Sequence, residues 1–255
     1  MPKRGASNTE RSRLDHLVVA RGLAASRERA RALILAGQVR VNGSPASKAG
    51  TMVDATAEVT LVEPDHPYVG RGGLKLAHAL DTFGIDVAGR LALDVGASTG
   101  GFTDVLLRRG APRVVALDVG HGQLDWSLRR DPRVVVLERI NARTLTADRL
   151  PADARLFDVV TMDVSFISAR QVLPAIVPLL APGADVVVLV KPQFEAGRHE
   201  VGKGGLVRDP AVHERVVDEV TAAASALGLT RVAMTESPIT GTEGNREFLV
   251  HLRHG

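Results

Sequence analysis

The sequence predicts an α/β protein: a Rossmann-like, doubly wound sheet of about seven strands, preceded by a small α+β module. Three observations carry the prediction. From residue 90 onward, short Val- and Leu-rich runs alternate with helical stretches, the order that builds a parallel sheet. Those runs are continuously apolar, as strands covered on both faces are. Basic charge is concentrated ahead of them. Residues 1–64 hold ten Lys and Arg against six Asp and Glu, whereas residues 65–255 hold 22 against 23.

The basic segment opens with a helix over Arg13 to Arg21, which places Leu14, Leu17 and Val18 on one face before Gly22. Ser26 reads as the N-cap of a second helix, with Glu28 in its first turn and Ala30, Leu33 and Ile34 as its apolar stripe. Gly37 suits the position just past that helix. Val39 to Val41 alternates like a strand, Asn42-Gly43 is a hairpin turn signal, and Glu58 to Val62 fits a second strand. A basic two-helix module of this size suggests contact with a polyanion, nucleic acid first among them.

The string SRLDHLVVARGLAASRERARALILAGQVRVNG closely resembles the S4-type RNA-binding domain over residues 12–62. The resemblance implies that Arg13, Arg27, Arg31 and Arg40 present a basic surface to structured RNA. The domain is expected over 1–62, and the proline-interrupted stretch 63–70 is read as linker. Residues 71–255 then form the large domain.

In the large domain the expected strands are Leu91–Val95, Val114–Leu117, Val134–Leu137, Val159–Met162 and Asp185–Val190, followed by Arg231–Thr235 and Phe248–Leu252. Helices fit Phe102–Arg109, Leu124–Arg130, Ala169–Leu180 and Ala211–Leu227. A ligand of such a sheet lies at the carboxyl ends of its strands. The first strand runs into Asp94-Val95-Gly96-Ala97-Ser98-Thr99-Gly100-Gly101-Phe102. Gly96 to Gly101 has the gap of a phosphate-binding P-loop, but Phe102 stands where that loop needs its lysine. The dinucleotide fingerprint is also absent.

A strand-end acid followed by x-G-x-x-x-G-G instead resembles the turn of S-adenosylmethionine-dependent methyltransferases. The resemblance implies a cofactor site of Asp94, Gly96, Ser98, Gly100, Gly101 and Phe102. Asp118, 24 residues after Asp94, is placed to bind both ribose hydroxyls. Asn141, after the third strand, is placed to read the adenine edge.

Composition narrows the chemistry. The chain has 255 residues, 45% hydrophobic and 24% charged, which excludes disordered, collagen-like and coiled-coil classes. Six Phe, one Trp and one Tyr imply an aliphatic core and little base stacking. With no Cys there is no disulfide, no thiolate metal site and no cysteine nucleophile for methylation at pyrimidine carbon five. The Asn/Asp-Pro-Pro-aromatic box of adenine amino methyltransferases is replaced by Asp163-Val164-Ser165-Phe166. Polar groups left at strand ends are Asp163, Lys191 and Glu247, with Lys75 in GRGGLKL ahead of the first strand.

Lys75, Asp163, Lys191 and Glu247 resemble the Lys-Asp-Lys-Glu tetrad of the FtsJ-like ribose 2′-O-methyltransferases. GRGGLKL, LDVGASTGGFTDVLL, DVGHGQLDWSL, DVSFIS, LVKPQFE and GNREFL, together with the S4-type domain, resemble the TlyA family of hemolysin-named rRNA methyltransferases across almost the whole chain. That family methylates the ribose 2′-hydroxyl of cytidine in large-subunit RNA, and in some members in both subunits. The resemblance implies S-adenosylmethionine as cofactor and ribosomal RNA or a ribosomal subunit as partner. Lys191 is the expected base or orienter, Asp163 its holder, and Glu247 the holder of Lys75 or of the ribose. A lysine base must first lose its proton, which burial beside a second cation, Lys75, would favour.

Two other readings stay open: a non-catalytic RNA-binding or assembly factor, and a hemolysin. All four tetrad residues are present, which weighs against the first. The second lacks a lytic segment, since the densest apolar run, Ala184 to Val190, is interrupted by Asp185 and is far below the ~18 residues of a spanning helix. His66, His78 and His121 show no metal-ligand spacing, so no metal is expected. The opening MPKRGASNTERSR has no apolar h-region, which gives a cytoplasmic expectation. The eight residues after Glu247 carry no charged helical tail, which favours the large-subunit form. Oligomeric state is left open.

Overall fold

The computed structural model describes residues 11–24, 26–35, 37–62, 66–152, 154, 156–241 and 244–255. The chain divides into two units, residues 1–67 and 68–255.

The first unit is built from β1 (Arg11–Arg13), α1 (Leu14–Ala20), α2 (Arg27–Leu35), β2 (Val39–Val41), β3 (Ser44–Pro45), β4 (Met52–Asp54) and β5 (Val59–Leu61). The two helices and the β2–β3 hairpin follow the apolar spacing and the Asn42-Gly43 turn, both of whose residues have left-handed φ. Ser26 Oγ accepts from the Arg29 N–H at 3.2 Å and so caps α2. Leu14, Val18, Ala30, Ile34 and Val39 are fully buried and form the core between helices and strands. Strands β1 and β4 were not apparent in the sequence. They pair only with each other, and runs of three residues are too short to show a periodicity.

The second unit contains α3 (Gly72–Phe83), β6 (Leu91–Val95), α4 (Gly101–Arg108), β7 (Arg113–Leu117), α5 (Trp126–Arg129), β8 (Val134–Leu137), β9 (Phe157–Met162), α6 (Leu173–Ile176), β10 (Leu180–Val190), α7 (Pro192–Glu195), α8 (Pro210–Ser225), β11 (Leu229–Glu236) and β12 (Phe248–His254). The seven strands form one sheet in the order β11-β12-β10-β9-β6-β7-β8. All neighbours are parallel except β12, which is antiparallel to both β10 and β11. Strand β6 lies between β7 and β9, so the chain winds outward in both directions from the β6–β9 junction. That junction is the topological switch point where such sheets bind ligands. Both faces of the sheet are buried, by α3 and α4 on one side and α6 and α8 on the other.

Four expectations are corrected. The helix expected over Ala169–Leu180 is broken into a 3-10 turn (169–171), α6 and a second 3-10 turn (177–179). Pro174 and Pro178 remove the N–H groups that a continuous helix would use. The fifth sheet strand starts at Leu180 rather than Asp185, with an irregularity before Asp185. Helix α5 is only one turn, because Asp125 starts it by accepting from the Ser127 N–H at 2.9 Å. The stretch read as linker ends early. Tyr68 packs against the core of the second unit, and the Val69 N–H donates to Asp104 Oδ2 at 3.0 Å. Glu63, Pro64 and Asp65 lie outside the described residues. Among the described residues no helix is long and apolar enough to cross a membrane.

Candidate active site at the carboxyl edge of the sheet

The Gly-rich turn leaves β6 and enters α4. Gly96 has φ +87°, and a Cβ there would lie 2.4 Å from the Asp163 carbonyl oxygen. Only glycine lets the ends of β6 and β9 approach this closely. The Asp163 N–H donates to the Val95 carbonyl at 2.9 Å and holds the two ends together. Gly101 allows a second close approach, because a Cβ there would be 2.8 Å from the Gly73 nitrogen. This contact sets the start of α4 against the start of α3.

Two clefts open above the β6–β9 junction. The larger, of about 460 Å³, is lined by Gly96, Ser98, Asp118 and Asn141 of the expected cofactor set. Asp118 Oδ2 accepts from the Ser98 N–H at 2.8 Å, and Oδ1 from the Gly120 N–H at 2.6 Å. Asn141 Oδ1 accepts from the Arg143 N–H at 3.0 Å, so its amide nitrogen is the end able to meet a ligand. Gly101 and Phe102 line the other cleft instead, with the Phe102 ring only 3% exposed.

Asp94 and Gly100, expected beside the cofactor, line neither cleft. Asp94 is wholly buried and accepts from Thr103 Oγ1 at 2.7 Å and Thr161 Oγ1 at 3.1 Å. It therefore ties β6 to α4 and β9. Burial pushes its carboxyl up to about 7, against the pull of the two hydroxyl donors. At Gly100 a Cβ would lie 2.2 Å from Leu128 Cδ1, so this glycine serves packing against α5.

The second cleft, of about 260 Å³, brings together Lys75, Asp163, Lys191 and Glu247. Lys75 sits in the first turn of α3, Asp163 just past β9, Lys191 just past β10 and Glu247 just before β12. Lys75 Nζ donates to Glu247 Oε2 in a buried ion pair. Lys191 Nζ lies 2.5 Å from Asp163 Oδ1, an ion-pair contact outside hydrogen-bonding angles, and donates to Ser165 Oγ at 2.9 Å. Each lysine thus has its own carboxylate, Asp163 beside Lys191 and Glu247 beside Lys75 rather than free for the ribose. The two clefts share Gly96, Ser98, Asp163 and Ser165. Ser165 was missed by the sequence reading. The available signal was its spacing, two residues after Asp163 at the same strand end.

In the first unit, three of the four arginines expected to face RNA converge on one buried carboxylate. Asp15 accepts from Arg13 Nε (3.0 Å) and one terminal nitrogen (2.9 Å), from Arg27 (3.4 Å) and from Arg31 Nε (3.2 Å). These bonds, led by that of Arg13, hold the Asp15 carboxyl far below the usual carboxylate range. The three guanidinium groups remain about half exposed. Arg40 stands apart and donates to the Gly43 carbonyl at 3.1 Å. The sequence reading did not give Asp15 a role.

A doubly wound seven-stranded sheet with an uncompensated glycine turn at its switch point and a paired Lys-Asp, Lys-Glu cleft beside it defines a methyltransferase-type α/β protein. Family models match in the same places: FtsJ-like methyltransferase over residues 68–254 and S4 domain over residues 12–59. The chain is 52% identical to the 16S/23S rRNA (cytidine-2′-O)-methyltransferase TlyA of Mycobacterium tuberculosis, over 95% of this chain and 90% of that protein. It is 48% identical to a candidate rRNA methyltransferase, YqxC, of Bacillus subtilis over 96% of this chain and 86% of that protein. A solved structure of a candidate hemolysin from Streptococcus thermophilus superposes with a TM-score of 0.74 at 43% identity, covering 96% of this chain and 89% of that one. The chain belongs to the FtsJ-like methyltransferase family, in the TlyA-type group that carries an S4 domain ahead of the catalytic fold.

Proposed function

We propose that this protein transfers a methyl group from S-adenosylmethionine to the ribose 2′-hydroxyl of cytidine in ribosomal RNA. The observation that supports this best is the pairing of Lys191 with Asp163 and of Lys75 with Glu247 inside one cleft, which shares a wall with the cleft of Asp118 and Asn141. Its chemistry suits a hydroxyl nucleophile, because the site offers lysines and carboxylates and the chain has no cysteine.

The larger cleft fits the cofactor. Its volume lies within the ~300–1,000 Å³ of ligand pockets, and no Lys or Arg is among its described lining residues, as suits a nucleoside without phosphates. Asp118 spends one lone pair of each oxygen on backbone N–H groups and keeps others for two ribose hydroxyls. Ile140, Val164 and Ile167 supply apolar surface for a base. When bound, the cofactor supplies an electrophilic methyl group on a sulfonium centre.

The protein's own residues would do the rest. Lys191, held by Asp163 and Ser165, meets the 2′-hydroxyl and either accepts its proton or orients it. The Lys75–Glu247 pair fixes the ribose from the other side. Holding acceptor and donor in near-attack geometry supplies much of the rate. The Asp15-organised arginines of the first unit would contact RNA phosphates. Ribosomal RNA as substrate would place the protein in the cytoplasm. The test is incubation of the purified protein and labelled S-adenosylmethionine with unmodified 16S and 23S rRNA and with both subunits, followed by mapping of 2′-O-methyl groups. Label on a cytidine ribose is expected. Label on a base, or none in rRNA, overturns the proposal.

A further inference from the structure

We infer that Glu195 is a positioning residue for methyl transfer: it clamps the chain segment that carries Asp163 and Ser165 to the segment that carries Lys191. This inference rests on the function proposed above. Lys191 begins the short segment that runs through α7 to Glu195, and Asp163 begins the segment that runs through Ser165 to Ala169. At the near end the two are joined by Lys191 with Asp163 and Ser165. At the far end Glu195 Oε2 accepts from Ser168 Oγ at 2.5 Å, and Oε1 accepts from the Ala169 N–H at 2.7 Å. Midway, the Phe194 and Phe166 rings meet with centroids 5.2 Å apart. Two loops from neighbouring strands are thus closed into a ring by contacts at both ends.

The far contact is built for rigidity. The Glu195 side chain is 3% exposed, so water does not compete for its acceptors. Arg170 reinforces it, donating from Nε to Glu195 Oε2 at 3.2 Å and from a terminal nitrogen to the Glu195 carbonyl at 3.1 Å. The other terminal nitrogen of Arg170 reaches Glu219 of α8 at 2.8 Å, which anchors the clamp to a long helix. Glu195 lines neither cleft, so it acts through Lys191 rather than on substrate. Lys191 needs such support. A side chain misplaced by about 1 Å can cost on the order of 10²-fold in rate, and beyond Phe166 the two segments are joined, among the described residues, by these Glu195 and Arg170 bonds.

Steady-state kinetics of Glu195→Ala, Glu195→Gln and Ser168→Ala on rRNA, with calorimetry of S-adenosylmethionine binding, tests the inference. Hydrogen–deuterium exchange over residues 163–169 and 191–196 reads the clamp directly. Glu195→Ala is expected to lower kcat about 10–100-fold while the RNA KM and the cofactor Kd stay within about twofold, with faster exchange in both segments. Glu195→Gln keeps an acceptor for the Ala169 N–H and is expected to restore most of kcat. Ser168→Ala removes the bond to Glu195 and the two that Arg170 donates to Ser168 Oγ, and should lose several-fold. Unchanged kcat and exchange in Glu195→Ala, or a loss that falls only on KM or Kd, overturns it. If Glu195→Ala does not fold, the Gln and Ser168 variants decide, and wild-type values for Ser168→Ala in both readouts overturn the clamp. A wild-type protein inactive on rRNA would overturn the proposed function, while the exchange data would still judge the clamp.

Discussion

Lys191 Nζ stands 2.5 Å from Asp163 Oδ1, at the carboxyl ends of adjacent strands β10 and β9. Parallel pairing sets Val188 opposite Met162, so Asp163 leaves the sheet one residue past its pair and Lys191 three residues past its own. The contact is therefore a product of strand register. A one-residue slip would turn every side chain of β10 to the other face and remove it.

Lys191→Ala is expected to lower single-turnover methylation by about 10²–10⁴-fold at saturating RNA and cofactor. Lys191→Arg separates its two roles, because guanidinium stays protonated and cannot accept a proton. Arg activity at the Ala level assigns a base, and substantial retained activity assigns orientation. Near-wild-type turnover of the Ala variant rules out both.

Asp118→Ala should weaken cofactor binding by about 1.5–3 kcal/mol, the range for a hydrogen bond to a charged group. The Ser98 and Gly120 N–H groups lose their acceptor in the same variant, so the turn itself loosens. Isothermal calorimetry reads the change directly, and unchanged affinity would remove Asp118 from the site.

Asp15→Ala makes the first unit more positive, and by charge alone should strengthen RNA binding. The geometry gives the opposite expectation. Without the shared carboxylate, Arg13, Arg27 and Arg31 lose the anchor that sets their spacing. RNA affinity should fall several-fold at fixed salt, with a shallower salt slope. Filter binding across a salt series would show it, and tighter binding by the variant would refute the organised cluster.

Asp94 gives a pH signature in stability. Its carboxyl is raised from 3.8 to about 7 in the folded protein, so the folded state holds a proton that the unfolded chain releases. Stability from this group is greatest below about 4 and declines as pH rises towards 7. Asp94→Asn keeps a neutral side chain throughout and should flatten the decline. The difference in Tm between wild type and variant, followed from pH 5 to 8, should shift steadily in favour of the variant. A constant difference would refute the raised value.

Much of this was legible in the sequence because it is written in local patterns. Continuous Val and Leu runs located the central strands of the sheet, since burial on both faces leaves no alternation; the edge strand β11, LTRVAMTE, is largely exposed. Strand-end residues stood out for the same reason: Asp118, Asp163, Lys191 and Glu247 each border an apolar run. What the sequence did not show lies where contacts join distant segments. Glycine weakens helix propensity, so GRGGLKL carries little helix signal, yet α3 forms there. Gly73 is needed because a Cβ would lie 2.4 Å from the Tyr68 ring, and Gly101 packs onto its backbone.

Local pattern in the chain carried the succession of strands and the residue types at the carboxyl edge of the sheet. The folded chain added that Glu247 takes Lys75, that Ser165 joins Lys191, that Asp94 ties the turn to α4 and β9, and that Asp15 gathers three arginines. The physical reason is that periodicity reports burial, which is a property of each segment. Ion pairs and hydrogen bonds depend on distances of about 3 Å between segments, and those distances exist only once the sheet has set its register.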